Sequence, residues 1–263
     1  MKTTSIQNLK AIKASGKKFA VITAYDFTFA SLIEAAGIEV TLVGDSLGNV
    51  IQGQKTTVPV TVAEMAYHTA AVRRGVENSL LVTDMPFMSY SNPNQALDNA
   101  ATLMQAGAQM VKLEGGEWLA DTVYALTERG IPVCGHIGLT PQSVFKLGGY
   151  KVQGRDEEAA DKMLNDAKIL QQAGADLIVV ECIPTALGRQ LSESLAIPVI
   201  GIGAGPHTDA QVLVLHDMLG ISQRLPVFSK NYLAETQTVQ EALTRYAEEV
   251  RSGAFPQQEH CFN

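Results

Sequence analysis

The sequence predicts an α/β protein folded as one (β/α)8 TIM barrel over residues 1–263. Three observations predict it. Short apolar runs recur along the chain, stretches of helical spacing separate them, and nearly every run ends at Gly or an ionisable residue. Short runs rich in Val and Ile fit strands buried on both faces of a parallel sheet, and their alternation with helices implies right-handed βαβ units.

In order, the runs cover residues 19–25, 40–43, 80–82, 110–113, 131–134, 177–180 and 197–202, which makes seven strands. An eighth is expected near residues 218–221, where the pattern is weaker. Helices are expected over 61–74, 94–106, 118–129, 157–173 and 209–215. An internal repeat supports these units: Ala106-Gly107-Ala108-Gln109-Met110-Val111-Lys112-Leu113-Glu114 parallels Ala173-Gly174-Ala175-Asp176-Leu177-Ile178-Val179-Val180-Glu181. Residues 36–45 form a looser third copy. In each, Gly falls just past a helix, where a left-handed residue ends it, and an acid closes the copy. Ile131-Pro132-Val133 and Ile197-Pro198-Val199 echo each other at two strand entries. A doubly wound open sheet normally carries a Gly-rich fingerprint after its first strand, and Ala24-Tyr25-Asp26-Phe27 stands there instead. The closed barrel is preferred.

Composition excludes several classes. With 263 residues, 46% hydrophobic and 18% charged, the chain can bury enough core to fold without disulfides or a structural metal. Net charge is −7 with no basic stripe, which argues against nucleic acid as a partner. Cys134, Cys182 and Cys261 are odd in number and form no CxxC, so they are expected as reduced thiols of a cytoplasmic protein. The first residues show no secretory apolar segment, and no run approaches the ~18 residues of a membrane helix.

The functional face of such a barrel is the C-terminal rim of its strands. There the sequence places Asp26, Asp45, Asp84, Glu114, His136, Glu181 and the turn Gly201-Ile202-Gly203-Ala204-Gly205. Any one strand-end Asp is as readily a helix cap. The set carries more weight. Lys112 and Glu114 are two residues apart on one strand, so both point into the barrel mouth while Val111 and Leu113 point to the helices. Buried charges need partners: each other, a metal or a charged ligand. Asp45, Asp84 and Glu114 converging on one mouth would repel unless a cation neutralises them or one holds a proton. Oxygen ligands without a His or Cys cluster favour Mg²⁺, then Mn²⁺, over zinc. Glu181 follows an apolar strand, a setting that suits a general base; an ordinary strand-end Glu is the alternative. Ser46 either holds an anionic substrate group or opens the next loop, and His136 is either a ligand contact or a structural His. The Gly-rich turn could admit a ligand to the backbone, although such turns are common.

These residues lie in motifs. Val43-Gly44-Asp45-Ser46-Leu47-Gly48, Thr61-Val62, Tyr67-His68-Thr69-Ala70-Ala71-Val72-Arg73-Arg74-Gly75, Asp84-Met85-Pro86-Phe87, Val111-Lys112-Leu113-Glu114-Gly115-Gly116 and Gly135-His136-Ile137-Gly138-Leu139-Thr140-Pro141-Gln142-Ser143 resemble ketopantoate hydroxymethyltransferase. So do Gly148-Gly149-Tyr150-Lys151-Val152-Gln153-Gly154, Glu181-Cys182-Ile183-Pro184, Ile200-Gly201-Ile202-Gly203-Ala204-Gly205 and Phe228-Ser229-Lys230-Asn231-Tyr232. The match runs from about residue 5 to the C-terminus. It departs at Asp209-Ala210-Gln211, where Asp-Gly-Gln is expected, and at the unusual Ser222-Gln223-Arg224. The resemblance implies a (β/α)8 barrel of the phosphoenolpyruvate/pyruvate-like superfamily. The implied enzyme transfers a hydroxymethyl group from 5,10-methylenetetrahydrofolate to 3-methyl-2-oxobutanoate, giving 2-dehydropantoate on the route to pantothenate and coenzyme A. It further implies Asp45, Asp84 and Glu114 as the site of one Mg²⁺, Ser46 and Lys112 as oxoacid contacts, with Asp45 and Asp84 at the same substrate site, and Glu181 as proton acceptor. Homo-oligomers are implied too, decamers being common among bacterial members.

The residue chemistry agrees with that implication. A 2-oxoacid can chelate Mg²⁺, which then stabilises the enolate as a Lewis acid. Lys112 adds positive charge where negative charge develops, worth ~3 kcal/mol. Two readings compete. A carbon–carbon lyase of the isocitrate-lyase-like kind would need no folate but would usually carry a reactive Cys on a loop. A non-catalytic metabolite-binding barrel would need neither Lys112 and Glu114 in the mouth nor a base at Glu181.

Overall fold

The computed structural model describes residues 3–263. Its eight strands are β1 (Phe19–Thr23), β2 (Val40–Val43), β3 (Leu80–Asp84), β4 (Met110–Glu114), β5 (Val133–Gly138), β6 (Leu177–Glu181), β7 (Val199–Ile202) and β8 (Ala210–Leu213). They are all parallel and adjacent in sequence order. Pairing from Phe19↔Ala210 to Ile22↔Leu213 closes the barrel.

The helices between them begin and end for local reasons. Thr61 and Glu64 form a capping box at the start of Val62–Arg73, and Asn92 caps Pro93–Gln105 with Pro at its first position. Gly37, Gly107 and Gly174, the three repeat glycines, have φ of 69°, 115° and 109°, the left-handed region that lets the chain leave a helix and enter a strand.

The eighth repeat differs from the expectation. Residues 209–215, read as helix, supply β8, while 218–221, read as strand, fall at the end of the short helix Leu215–Met218 and in the turn after it. Four residues with Gln211 among them carry too little periodicity to separate strand from helix. What decides is tertiary: β1 and β7 each need a neighbour, and β8 pairs with both. The Tyr246 hydroxyl, buried on helix Val239–Ser252, lies 2.8 Å from the Val21 carbonyl and 2.9 Å from that of Gln211, pinning the β1–β8 seam.

Alternate residues of each strand face inward. The lower interior is apolar, built from Phe19, Val21, Val40, Leu42, Leu80 and Val82 with the matching positions of β4 to β8. Helix Ile6–Ala14 plugs the bottom, with Leu9 inside this cluster. Fully burying a side chain of that size contributes about 2 kcal/mol. A second cluster fills the space between strands and helices. Continuing the inward series upward gives Asp84 on β3, Lys112 and Glu114 on β4, His136 on β5 and Glu181 on β6. The barrel is greasy below and charged at its mouth.

Candidate active site

Strand register sets the mouth before any side chain is considered. Asp84 is the Cα partner of Lys112, and Glu114 that of His136, so the inward charges stand side by side on adjacent strands. All four are at most 5% exposed. Lys112 Nζ lies 3.1 Å from Asp84 Oδ1 and 3.1 Å from His136 Nδ1. His136 Nδ1 is 3.3 Å from Glu114 Oε1, and its Nε2 is 3.1 Å from Glu181 Oε2. A continuous chain of charge therefore runs Asp84–Lys112–His136–Glu181, with Glu114 beside it.

Asp45 joins from the loop after β2. Its N–H donates to Asp84 Oδ2 at 3.1 Å, and its Oδ2 accepts from Gln142 Nε2 at 2.8 Å. Gln142 also gives its backbone N–H to Glu114 Oε2 at 3.0 Å and is hydrogen-bonded through its side-chain oxygen to the Tyr90 hydroxyl. Ser46 begins the short helix Leu47–Val50, and its hydroxyl meets the buried Tyr25 hydroxyl at 2.8 Å. A Cβ on Gly44 would stand 2.7 Å from Ser46 Oγ, so a larger residue there would displace that hydroxyl.

Electrostatics follow from burial and neighbours. Burial, reinforced by the Asp84 and Glu114 charges, pushes Asp45 well above the usual carboxylate range. Asp84 is raised by burial, against the pull of Lys112 and the Asp45 N–H. For Glu114, burial is outweighed by His136, Lys112 and the Gln142 N–H, and its carboxyl is held low. Lys112 likewise overcomes burial through Asp84, Glu114 and Asp45, and stays charged. His136 is depressed by burial and by Lys112, but Glu114 and Glu181 win and push it up to about 9. Nδ1 cannot both accept from Lys112 and donate to Glu114. Lys112 has Asp84 as a partner, whereas Glu114 and Glu181 gain most from an imidazolium, so the charged form is the one the surroundings favour.

Glu181 was expected against apolar walls and is found against the imidazole, with 13% of its side chain exposed. Cys182, next along, holds φ at 47°, a left-handed value that costs a residue with a side chain ~1–3 kcal/mol. That turn lets its N–H donate to the Ile202 carbonyl while its own carbonyl accepts from Gln153 N–H, both at 2.9 Å.

Two rim features belong elsewhere. Asp26 caps helix Phe27–Ala35, accepting from Phe29 N–H at 3.0 Å, which is the structural alternative. The glycines of the 201–205 turn make room for Thr208, Phe228, Phe262 and Thr185 rather than for the mouth. Gln142, Tyr90 and Tyr25 were not singled out from sequence. Each lies outside the strands, and nothing in its spacing shows that it reaches the acids.

Among the described residues no three His, Cys, Asp or Glu side chains stand at metal-ligand spacing. The donor set nevertheless fits a hard cation. Asp45, Asp84, Glu114 and Glu181 outnumber Lys112 and His136, and at Asp45 burial and the neighbouring acids outweigh Lys112 and the Gln142 amide. Asp84 Oδ1 and His136 Nε2, both buried, have ion-pair neighbours at 3.1 Å but no well-directed hydrogen bond.

Comparison with known proteins agrees with this architecture. A family model described as ketopantoate hydroxymethyltransferase matches residues 3–258. The chain is 58% identical to the 3-methyl-2-oxobutanoate hydroxymethyltransferase of Escherichia coli O17:K52:H18 (strain UMN026 / ExPEC), covering 100% of both chains. It is 59% identical to the enzyme of that name from Cronobacter sakazakii (strain ATCC BAA-894), again covering 100% of both. In fold it is similar to 2,3-dimethylmalate lyase, a PEP mutase/isocitrate lyase superfamily member, with a TM-score of 0.56, 16% identity, and 81% of each chain covered.

Proposed function

We propose, from the fact that this chain belongs to the ketopantoate hydroxymethyltransferase family, that it transfers a hydroxymethyl group onto 3-methyl-2-oxobutanoate, with 5,10-methylenetetrahydrofolate as donor and 2-dehydropantoate as product. The observation that carries the mechanism is Lys112. It is a charged amine buried to 5% exposure, set between Asp84 and His136 and one residue pair from Glu181.

A small 2-oxoacid brings a carboxylate and a keto oxygen, and Lys112 with the Ser46 hydroxyl is the donor pair that would meet them. Asp45 and Asp84 with Glu114 would hold Mg²⁺, which when bound supplies Lewis-acid stabilisation of negative charge on the oxoacid oxygens. Glu181 takes the C3 proton, leaving the electron pair as an enolate. The fixed Lys112 charge stabilises that enolate without reorganising, an effect of ~3 kcal/mol. His136, 3.1 Å away, would orient Glu181 through its charge. Water would add to the methylene carbon as the first of its two bonds to folate nitrogen breaks, and C3 would bond to that carbon as the second breaks; one proton from the water and the one taken by Glu181 go to the two nitrogens, and tetrahydrofolate leaves.

The test is to supply methylenetetrahydrofolate labelled at its one-carbon unit and follow the label. The reading expects it in the new hydroxymethyl group, and C3 exchange of the oxoacid without folate. Label that never leaves the folate, alongside cleavage of a hydroxyacid, would favour the lyase and reject this assignment.

A further inference from the structure

Between residues 129 and 155 the chain contains no Asp or Glu, although the protein carries a net charge of −7. The end of that stretch crosses the barrel mouth. Gln142 fastens its beginning to Asp45 and Glu114, and Gln153 N–H fastens its far part to the Cys182 carbonyl beside Glu181. The span between is therefore a strap tied at one end to two acids of the mouth and at the other to the backbone next to Glu181.

The strap displays both aromatic rings and cations. Phe145 is 77% exposed and Tyr150 58% exposed, and Lys146, Lys151 and Arg155 are exposed as well. None of these three cations makes an ion pair among the described residues. Tyr150 also senses the mouth: partial burial, with the Glu181, Asp45 and Glu114 charges, raises its phenol pKa. The oxoacid is too small to reach such a surface once its carboxylate and keto group are held by the mouth. Flat aromatic faces beside unpaired cations recognise a larger ligand that is itself aromatic and anionic.

We propose that residues 145–155 dock the one-carbon donor, with its ring system laid against Tyr150 and its glutamate carboxylates taken by Lys146, Lys151 and Arg155. This rests on the folate donor named above and adds where it binds. Docking there would hold the donor over the Glu181 side of the mouth, the side from which the C3 proton departs.

The test is direct binding, measured by calorimetry with Mg²⁺ and the oxoacid present. Tetrahydrofolate is compared with tetrahydropteroate, which keeps the rings but lacks the glutamate. Exposed charge pairs are worth little singly, so we expect the triple variant Lys146→Ala, Lys151→Ala, Arg155→Ala to bind tetrahydrofolate about tenfold more weakly. Tetrahydropteroate affinity should match wild type, and so should folate-free C3 exchange. Tyr150→Leu should weaken both ligands. Unchanged tetrahydrofolate affinity in the triple variant overturns the docking site alone, as does equal loss of both ligands or loss of exchange. A change in assembly state by light scattering would show that a second copy covers the strap, and overturns it too. Wild-type protein that exchanges C3 hydrogen but binds neither ligand removes the folate donor itself, and this site with it.

Discussion

Replacing Lys112 by Met keeps the aliphatic stem and deletes the charge. Asp84 then loses its partner at 3.1 Å, and the buried acids of the mouth face His136 alone. Breaking a buried pair from one side typically costs ~3–5 kcal/mol. Here the carboxylates can relieve part of it by taking up protons, since burial already raises Asp45 and Asp84. Each pKa unit of that uptake is worth about 1.4 kcal/mol, so a net loss of about 2–3 kcal/mol at neutral pH is expected. The sign of its pH dependence is fixed. Without Lys112 the folded carboxyls sit further above their unfolded values, so the variant is least destabilised at low pH and loses stability as pH rises through the folded values. The same charge is assigned ~3 kcal/mol of enolate stabilisation, so C3 exchange should slow about 100-fold. Urea unfolding at pH 5 and pH 8, with exchange followed by proton NMR, reads both effects. A variant that unfolds and exchanges like wild type would refute the placement of Lys112 beside the developing charge.

Two further outcomes follow from the same network. Glu181→Gln should slow C3 exchange by ~10²–10⁴-fold while calorimetry finds oxoacid binding nearly intact; exchange at the normal rate would assign the base elsewhere. His136, pushed up to about 9 in the fold from 6.5, contributes stability that is fully present below pH 6.5 and is lost as pH rises towards 9. That is ~3 kcal/mol across the window, and His136→Gln should lack the slope. A wild-type unfolding profile that stays flat from pH 6.5 to 9 rejects the imidazolium.

Much of this was legible from residue order because inward-facing positions repeat every second residue. Lys112 and Glu114 share a strand, so one parity argument points both inward, and both are buried as it requires. The repeat glycines took their left-handed values for the reason their place after a helix gave. The eighth strand was not legible, because four residues with no strong pattern are set by the edges they join. Nor was Gln142 picked out, although it binds Asp45 through its side chain and Glu114 through its backbone: a neutral amide on a loop leaves no signal in spacing or charge. His136 was open between a ligand contact and a structural His, and the partners it has in the fold are the carboxylates of Glu114 and Glu181.

At the centre lies the claim that these acids, with Lys112, activate the oxoacid only when a hard cation shares their charge. The measurement is C3 deuterium exchange by protein stripped with a chelator and titrated back with Mg²⁺. The account predicts that exchange disappears on stripping and returns in full as one equivalent per chain is bound. Undiminished exchange in the stripped protein would contradict it.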